Sequence, residues 1–145
     1  MAISVTQQHS SFFGVVGPIS LRDTMDETVL AEIRGAMDKY AVLVFRDQQF
    51  TDDEHTAFAK RLDGELHTKT GAAALTKSRL GTEAVTDISN VASDKTLMNP
   101  DDRRRLYGLA NRLWHTDASF QDPAGRYSML HAQVLPQDRA DTLFS

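Results

Sequence analysis

The chain of 145 residues contains no cysteine, and this absence excludes disulfides, thiolate zinc sites and cysteine nucleophiles. It is consistent with a reducing cytoplasm, which is the location we expect. Long hydrophobic runs are also missing, since no apolar stretch approaches the about 20 residues that a membrane helix needs. The net charge of −4 and the lack of a long basic run argue against nucleic acid as a partner.

The composition that remains is that of a folded domain. Hydrophobic residues make up 41% of the chain and charged residues 25%, which is enough apolar material to bury a core. The length corresponds to a single domain, so residues 1–145 are expected to belong to one unit. The sequence does not decide whether the chain forms a homo-oligomer.

The first half of the chain alternates between strand and helix patterns. A short strand is predicted within 12–19, and apolar residues recur at helical spacing over 23–40. Thr24 or Asp26 can cap the start of that helix. The β-branched and aromatic run 41–46 then predicts a buried strand.

A second helix is predicted from a capping box. Thr51 is followed three residues later by Glu54, and the apolar pattern after them stops at Gly64. From 64 to 83 no steady period remains, so this segment is expected to be a long loop.

The second half of the chain is predicted to be mainly β. A polar connection is expected over 93–108 and a turn over 121–125. The last strand pattern alternates, with Ser128 and Leu130 on one face and Tyr127 and Met129 on the other. The strands predicted in this half are 83–91, 112–116 and 126–135.

His115 and Asp117 form the pattern with the most chemical content. In a strand, residues two apart point to the same side, so this imidazole and this carboxylate would project together. A divalent metal accepts both, and the pair makes up two thirds of a 2-His-1-carboxylate iron site. Zinc is chemically open as well, and so is a polar strand end that faces water, because a single H-x-D triplet recurs by chance.

Further motifs accompany this pair: "WHTDASF" (114–120), "PAGRYSML" (123–130), "AVLVFRDQQFTDDEHTAFAKRLDGEL" (41–66) and "DISNV" (87–91). With these motifs the chain resembles the TauD/TfdA family of iron(II)- and 2-oxoglutarate-dependent dioxygenases. The resemblance is strongest to the 2,4-dichlorophenoxyacetate dioxygenases, especially their alpha-type relatives, and follows the family's order over most of the chain. It implies a double-stranded β-helix, a jelly-roll fold of the clavaminate synthase type, with helices packed outside. Residues 1–145 would be the N-terminal portion of that single domain.

The resemblance also assigns roles to individual residues. His115 and Asp117 become the first two Fe(2+) ligands, and Thr142 a hydrogen-bond partner of the 2-oxoglutarate carboxylate. Asn111 matches a position near the substrate. His67 and Lys69 occupy the loop where the family places substrate contacts, and a lysine ammonium there could attract a carboxylate.

Two family residues have no counterpart in this chain. The second iron histidine and the arginine that pairs with 2-oxoglutarate lie beyond residue 145 in the family, so the chain is expected to be incomplete and inactive alone. His9, His55 and His131 are not promoted to ligands, and His55 is expected to be exposed. The chain departs from the family at 139–142, where "RADT" replaces the usual "GGDT".

The function that the resemblance implies is hydroxylation of an aryloxyacetate such as 2,4-dichlorophenoxyacetate. The small carboxylate substrate and O2 would give a phenol and glyoxylate, with succinate and CO2 from 2-oxoglutarate. Two alternatives stay open. One is a taurine, alkyl sulfonate or alkyl sulfate dioxygenase of the same family, and the other is a non-catalytic half-barrel interaction module.

Overall fold

The computed structural model describes residues 2–24, 26–68, 80, 84–138 and 141–145. Its sheet lies at the N-terminus and has three short strands in the order β1 (Val5–Gln7), β2 (Gly14–Val16) and β3 (Leu43–Phe45). The first two strands are antiparallel, and β3 pairs parallel to β2, with Val15 opposite Val44. The strands predicted within 12–19 and 41–46 are therefore confirmed in shorter form.

The two predicted helices are confirmed, and their caps explain where they begin. Helix α1 spans Glu27–Tyr40, and the Asp26 side chain accepts from the Thr28 backbone N–H. Helix α2 spans Asp52–Asp63 with a complete capping box: Thr51 accepts from the Glu54 N–H, and Glu54 accepts from the Thr51 N–H. Helix α2 ends at Gly64, whose φ of 84° suits glycine.

The core lies between the two helices and the sheet. Ile33 is its most buried member, and Phe50, Tyr127 and Met129 pack against the edge of this cluster. The C-terminal segment therefore contributes to the same core as the helices. The buried members of the cluster are Leu21, Leu30, Ile33, Phe58 and Leu62.

The second half departs from the prediction of a mainly β structure. Within the polar connection predicted over 93–108, residues Arg103–Gly108 form helix α3, and a 3-10 turn (Leu109–Arg112) follows it. The strand predicted at 112–116 is wrong, because the turn ends there and the chain continues without regular structure. In the described part of 83–91 no strand forms, and Val91 makes an isolated antiparallel bridge with Leu97.

The segment 126–135 is extended but is not a strand. Its alternation is confirmed over 127–131, since Tyr127, Met129 and His131 are half-buried while Ser128 and Leu130 are exposed. It is wrong beyond His131, where the following residues up to 135 are all exposed. The ladder is absent because no neighbouring strand in the described part of the chain offers its backbone groups. The jelly-roll strands of the expected fold are therefore not formed within the described residues.

No helix in the described ranges is both long enough and apolar enough to cross a bilayer, and the longest, α1, has 14 residues.

Candidate metal centre

The loop that follows the 3-10 turn carries the predicted pair. His115 and Asp117 are exposed and lie outside any strand, yet their side chains meet. The distance from His115 Nε2 to Asp117 Oδ1 is 3.3 Å. The prediction that the two groups project together is thus correct, although the expected reason, same-side positions of a strand, is wrong.

A backbone contact sets the orientation of the His115 ring. His115 Nδ1 lies 2.7 Å from the Leu113 carbonyl oxygen. A carbonyl can only accept, so Nδ1 carries the proton and donates. In the neutral imidazole Nε2 then bears the lone pair, and this lone pair is directed toward the Asp117 carboxylate. Metal-binding histidines commonly have their other ring nitrogen held by a carbonyl in this way.

Asp117 is held from its other oxygen. The Ser128 hydroxyl donates to Asp117 Oδ2 at 2.5 Å, across 11 residues of sequence. This leaves Oδ1 as the oxygen that faces His115. One carboxylate oxygen, Oδ2, is therefore hydrogen-bonded within the protein, and the other, Oδ1, is available to a metal ion.

The donor set suits a divalent cation. Two donors that each lie about 2.1 Å from one ion are about 3.0 Å apart at a right angle and about 3.4 Å apart at the tetrahedral angle. The separation of 3.3 Å between Nε2 and Oδ1 falls in that interval. Two lone-pair atoms at this distance need a positive charge between them, which a metal ion or a proton on Nε2 supplies. Within the described ranges no group of three His, Asp, Glu or Cys side chains is placed to hold a metal.

The turn after Asp117 depends on close backbone contacts. Ala118 has a φ of 50°, and its carbonyl accepts from the N–H groups of Gln121 and Gly125, each at 3.2 Å. A Cβ at Gly125 would lie 2.8 Å from the Ala118 Cβ, which is too close for any side chain to fit without movement. Gly125 thus lets the chain fold back on the residue that follows the carboxylate.

The remaining predicted site residues are three substrate contacts and one 2-oxoglutarate contact, and not all of them lie near the pair. His67 lies beside this turn, because its Cδ2 atom is 3.9 Å from the Cβ position of Gly125. Asn111 is exposed in the 3-10 turn, four residues before His115. Thr142 is exposed, and in the described structure no hydrogen bond joins it to the pair. Lys69 lies outside the described residues.

Two other histidines form a cluster of their own. His131 contacts Phe50 and His55, with ring centroids 5.6 and 5.7 Å away, and its Nε2 donates to the Gln48 carbonyl at 3.2 Å. His55 is half-buried, so the expectation that it is exposed is wrong. Burial lowers the pKa of His55, as does the neighbouring His131, while Asp52 raises it.

Trp114, next to His115, is 69% exposed and does not belong to the core. The arginines 103–105, which fall in the polar connection predicted over 93–108, lie in α3, where the hydrogen bonds from Arg104 lower the pKa of Asp102 to about 2. Ser128 was recognised only as a member of the alternating pattern. No local signal connects it with Asp117, because their contact is not sequential.

Comparison with known proteins shows the family to which the chain belongs. The family described as "Taurine catabolism dioxygenase TauD, TfdA family" matches residues 4–145. The chain therefore belongs to the TauD/TfdA dioxygenase family.

Two curated relatives show which members of the family the chain resembles. The chain is 39% identical over 144 residues to an alpha-ketoglutarate-dependent 2,4-dichlorophenoxyacetate dioxygenase of Cupriavidus pinatubonensis, covering 99% of this chain and 50% of that protein. It is 38% identical to the protein of the same name from a Burkholderia species, covering 99% of this chain and 48% of the relative. The chain thus spans about half the length of the curated relatives it matches.

A solved structure also aligns with the chain. The crystal structure of AAD-2 in complex with Mn(II) and N-oxalylglycine aligns with a TM-score of 0.66 and 34% identity. The alignment covers 83% of this chain and 38% of the other. Structural neighbours of this kind are dioxygenases of the TauD/TfdA type, which have a double-stranded β-helix fold.

Proposed function

We propose that this chain is the N-terminal portion of an Fe(II)- and 2-oxoglutarate-dependent dioxygenase domain, and that His115 and Asp117 bind its iron. The observation that carries the proposal is the 3.3 Å approach of His115 Nε2 to Asp117 Oδ1 in a member of this family. The remaining ligand, a histidine, would come from residues that follow 145. When bound, iron and 2-oxoglutarate supply the oxygen-dependent chemistry that hydroxylates the substrate.

The residues of this chain have separate tasks in that site. The Leu113 carbonyl holds the His115 ring so that Nε2 faces the metal position. Asp117 brings one negative charge, which partly offsets the charge of a divalent ion. Thr142 is proposed to donate its hydroxyl proton to a carboxylate oxygen of 2-oxoglutarate. Asn111, His67 and Lys69 are proposed substrate contacts, and the position of His67 beside Gly125 supports its inclusion.

The proposed substrate is an aryloxyacetate. Support comes from the identity of 38–39% with 2,4-dichlorophenoxyacetate dioxygenases over 99% of the chain. Hydroxylation of the carbon beside the ether oxygen gives a hemiacetal, which breaks down to a phenol and glyoxylate. The same turnover converts 2-oxoglutarate and O2 to succinate and CO2, with one oxygen atom in succinate and one in the hydroxyl group.

The experiment uses the full-length protein that carries this chain, supplied with Fe(II), 2-oxoglutarate and 2,4-dichlorophenoxyacetate. We expect equal amounts of succinate and phenol. His115→Ala and Asp117→Ala should each lower turnover by on the order of 100-fold or more, since even loss of an outer-shell partner costs about 10–100-fold. His9→Ala, which removes an exposed histidine near the N-terminus, is the matched control and should leave turnover unchanged.

Three results would contradict parts of this proposal. Retained succinate formation in His115→Ala would remove the ligand assignment. Turnover of taurine or an alkyl sulfate in place of the aryloxyacetate would favour the sulfonate alternative. A protein that binds neither metal nor 2-oxoglutarate, and forms a dimer by size-exclusion mass, would favour the non-catalytic module.

A further inference from the structure

Asp117 lies in a segment that is not positioned by burial. Within 113–120 every residue except Ala118 is exposed, and 55% of the Asp117 side chain is accessible. An exposed side chain on a loop samples several rotamers unless hydrogen bonds hold it. The orientation of the carboxylate must therefore come from the groups bonded to it.

Two groups contact the Asp117 carboxylate in the described structure. His115 approaches Oδ1, and the Ser128 hydroxyl donates to Oδ2. The first of these is itself a proposed metal ligand and cannot position the carboxylate independently of the metal. Ser128 is not a proposed ligand, and its 2.5 Å hydrogen bond to a charged acceptor belongs to the short, strong class.

Ser128 is anchored to the folded core. Its neighbours Tyr127 and Met129 pack against the hydrophobic cluster of α1 and α2. Two residues further on, His131 contacts Phe50 and donates to the Gln48 carbonyl. Because side chains alternate along this extended segment, burying Tyr127 and Met129 turns Ser128 toward Asp117.

We infer that Ser128 is a positioning residue for the metal site, a conclusion that rests on the proposed function. Its hydroxyl donates to Asp117 Oδ2, so that Asp117 binds the metal through Oδ1 alone. Because Ser128 is held by the hydrophobic core, the core thereby fixes the orientation of the Asp117 carboxylate. A carboxylate that binds through both oxygens would occupy an additional coordination position. Ser128 thereby helps to keep coordination positions open for the cosubstrate and oxygen.

The test is a Co(II) titration of the full-length protein, followed by its visible absorption spectrum and without any turnover. Ser128→Ala should weaken Co(II) binding about 10–100-fold, the range observed for lost outer-shell partners, and should change the spectrum. Ser128→Thr keeps a hydroxyl at the same position and should restore most of the affinity. Thermal unfolding of each variant, without metal, shows whether the fold is intact.

Ser119→Ala is the matched control. Ser119 also lies in the loop, and its hydroxyl bonds to the Thr116 hydroxyl at 2.7 Å and not to either proposed ligand. It should bind Co(II) like the wild type. Wild-type affinity and spectrum in Ser128→Ala, or an equal loss in Ser119→Ala, would overturn the inference. Failure of the proposed function is distinguishable, because His115→Ala would then also bind Co(II) like the unsubstituted protein.

Discussion

At the scale of single residues, the side chains of the candidate site are exposed, so hydrogen bonds and close backbone contacts determine their orientation. His115 depends on the Leu113 carbonyl, and Asp117 depends on Ser128. The turn that follows Asp117 depends on the close approach of Gly125 to Ala118. Each of these contacts can be altered by one substitution, so the role of each contact can be tested separately.

Gly125→Ala should disturb the turn next to Asp117. The new Cβ would lie 2.8 Å from the Ala118 Cβ, so backbone must move to accept it. Forcing extra atoms into a packed position typically costs about 1–3 kcal/mol, and here the movement would also shift Asp117. We expect a lower midpoint in urea unfolding and weaker Co(II) binding by the full-length protein.

Gly35→Ala provides the comparison for that substitution. Gly35 lies inside α1, and a Cβ added there meets nothing within 4 Å. Alanine is favoured over glycine in a helix by about 1 kcal/mol, so this variant should be more stable and bind Co(II) normally. If Gly125→Ala behaved in the same way, the close approach at the turn would have no role in the site.

His55 should make stability depend on pH. Its pKa is lowered below the usual 6.5 by burial and by His131, with Asp52 acting in the opposite direction. The unfolded chain therefore takes up a proton before the folded one does, and stability falls as pH drops below about 6.5. His55→Leu should reduce this fall, measured as the difference in Tm between pH 7.5 and 5.5. An unchanged difference would show that His55 does not contribute.

At the scale of elements, α1 and α2 were predicted well because their signals are local, whereas α3 was not predicted. Thr51 and Glu54 are three residues apart, and both capping hydrogen bonds form. The strands predicted at 112–116 and 126–135 did not form, because a strand requires a partner elsewhere in the chain. The alternation of 126–131 still predicted which side chains face the core. The 11-residue contact from Ser128 to Asp117 left no signal in the sequence.

The cap of α2 gives a prediction at this scale. Thr51→Ala removes the hydroxyl that accepts from the Glu54 N–H and should lower the free energy of unfolding by about 1 kcal/mol. Thr56→Ala is the matched control, because that hydroxyl only donates back to the carbonyls of Asp52 and Asp53 within the helix. Urea unfolding of the full-length protein should separate the two variants, and equal losses would contradict the capping account.

At the scale of the whole molecule, the two halves of the chain differ in burial. Among the residues that the structure describes, the buried hydrophobic ones all precede residue 63, while large apolar side chains of the second half are exposed, among them Trp114, Phe120 and Leu135. The chain also spans about half of its curated relatives. Under the proposed function, two of the three iron ligands, His115 and Asp117, belong to this chain, and the third would lie outside residues 1–145.

The most direct measurement of the central claim is a crystal structure of the full-length protein with Mn(II). We predict one ion bound by His115 Nε2 and Asp117 Oδ1, each at about 2.0–2.2 Å, the distances of comparable first-row metal sites. The Ser128 hydroxyl should remain on Asp117 Oδ2. An ion bound elsewhere, or His115 and Asp117 turned apart with no metal between them, would contradict the account.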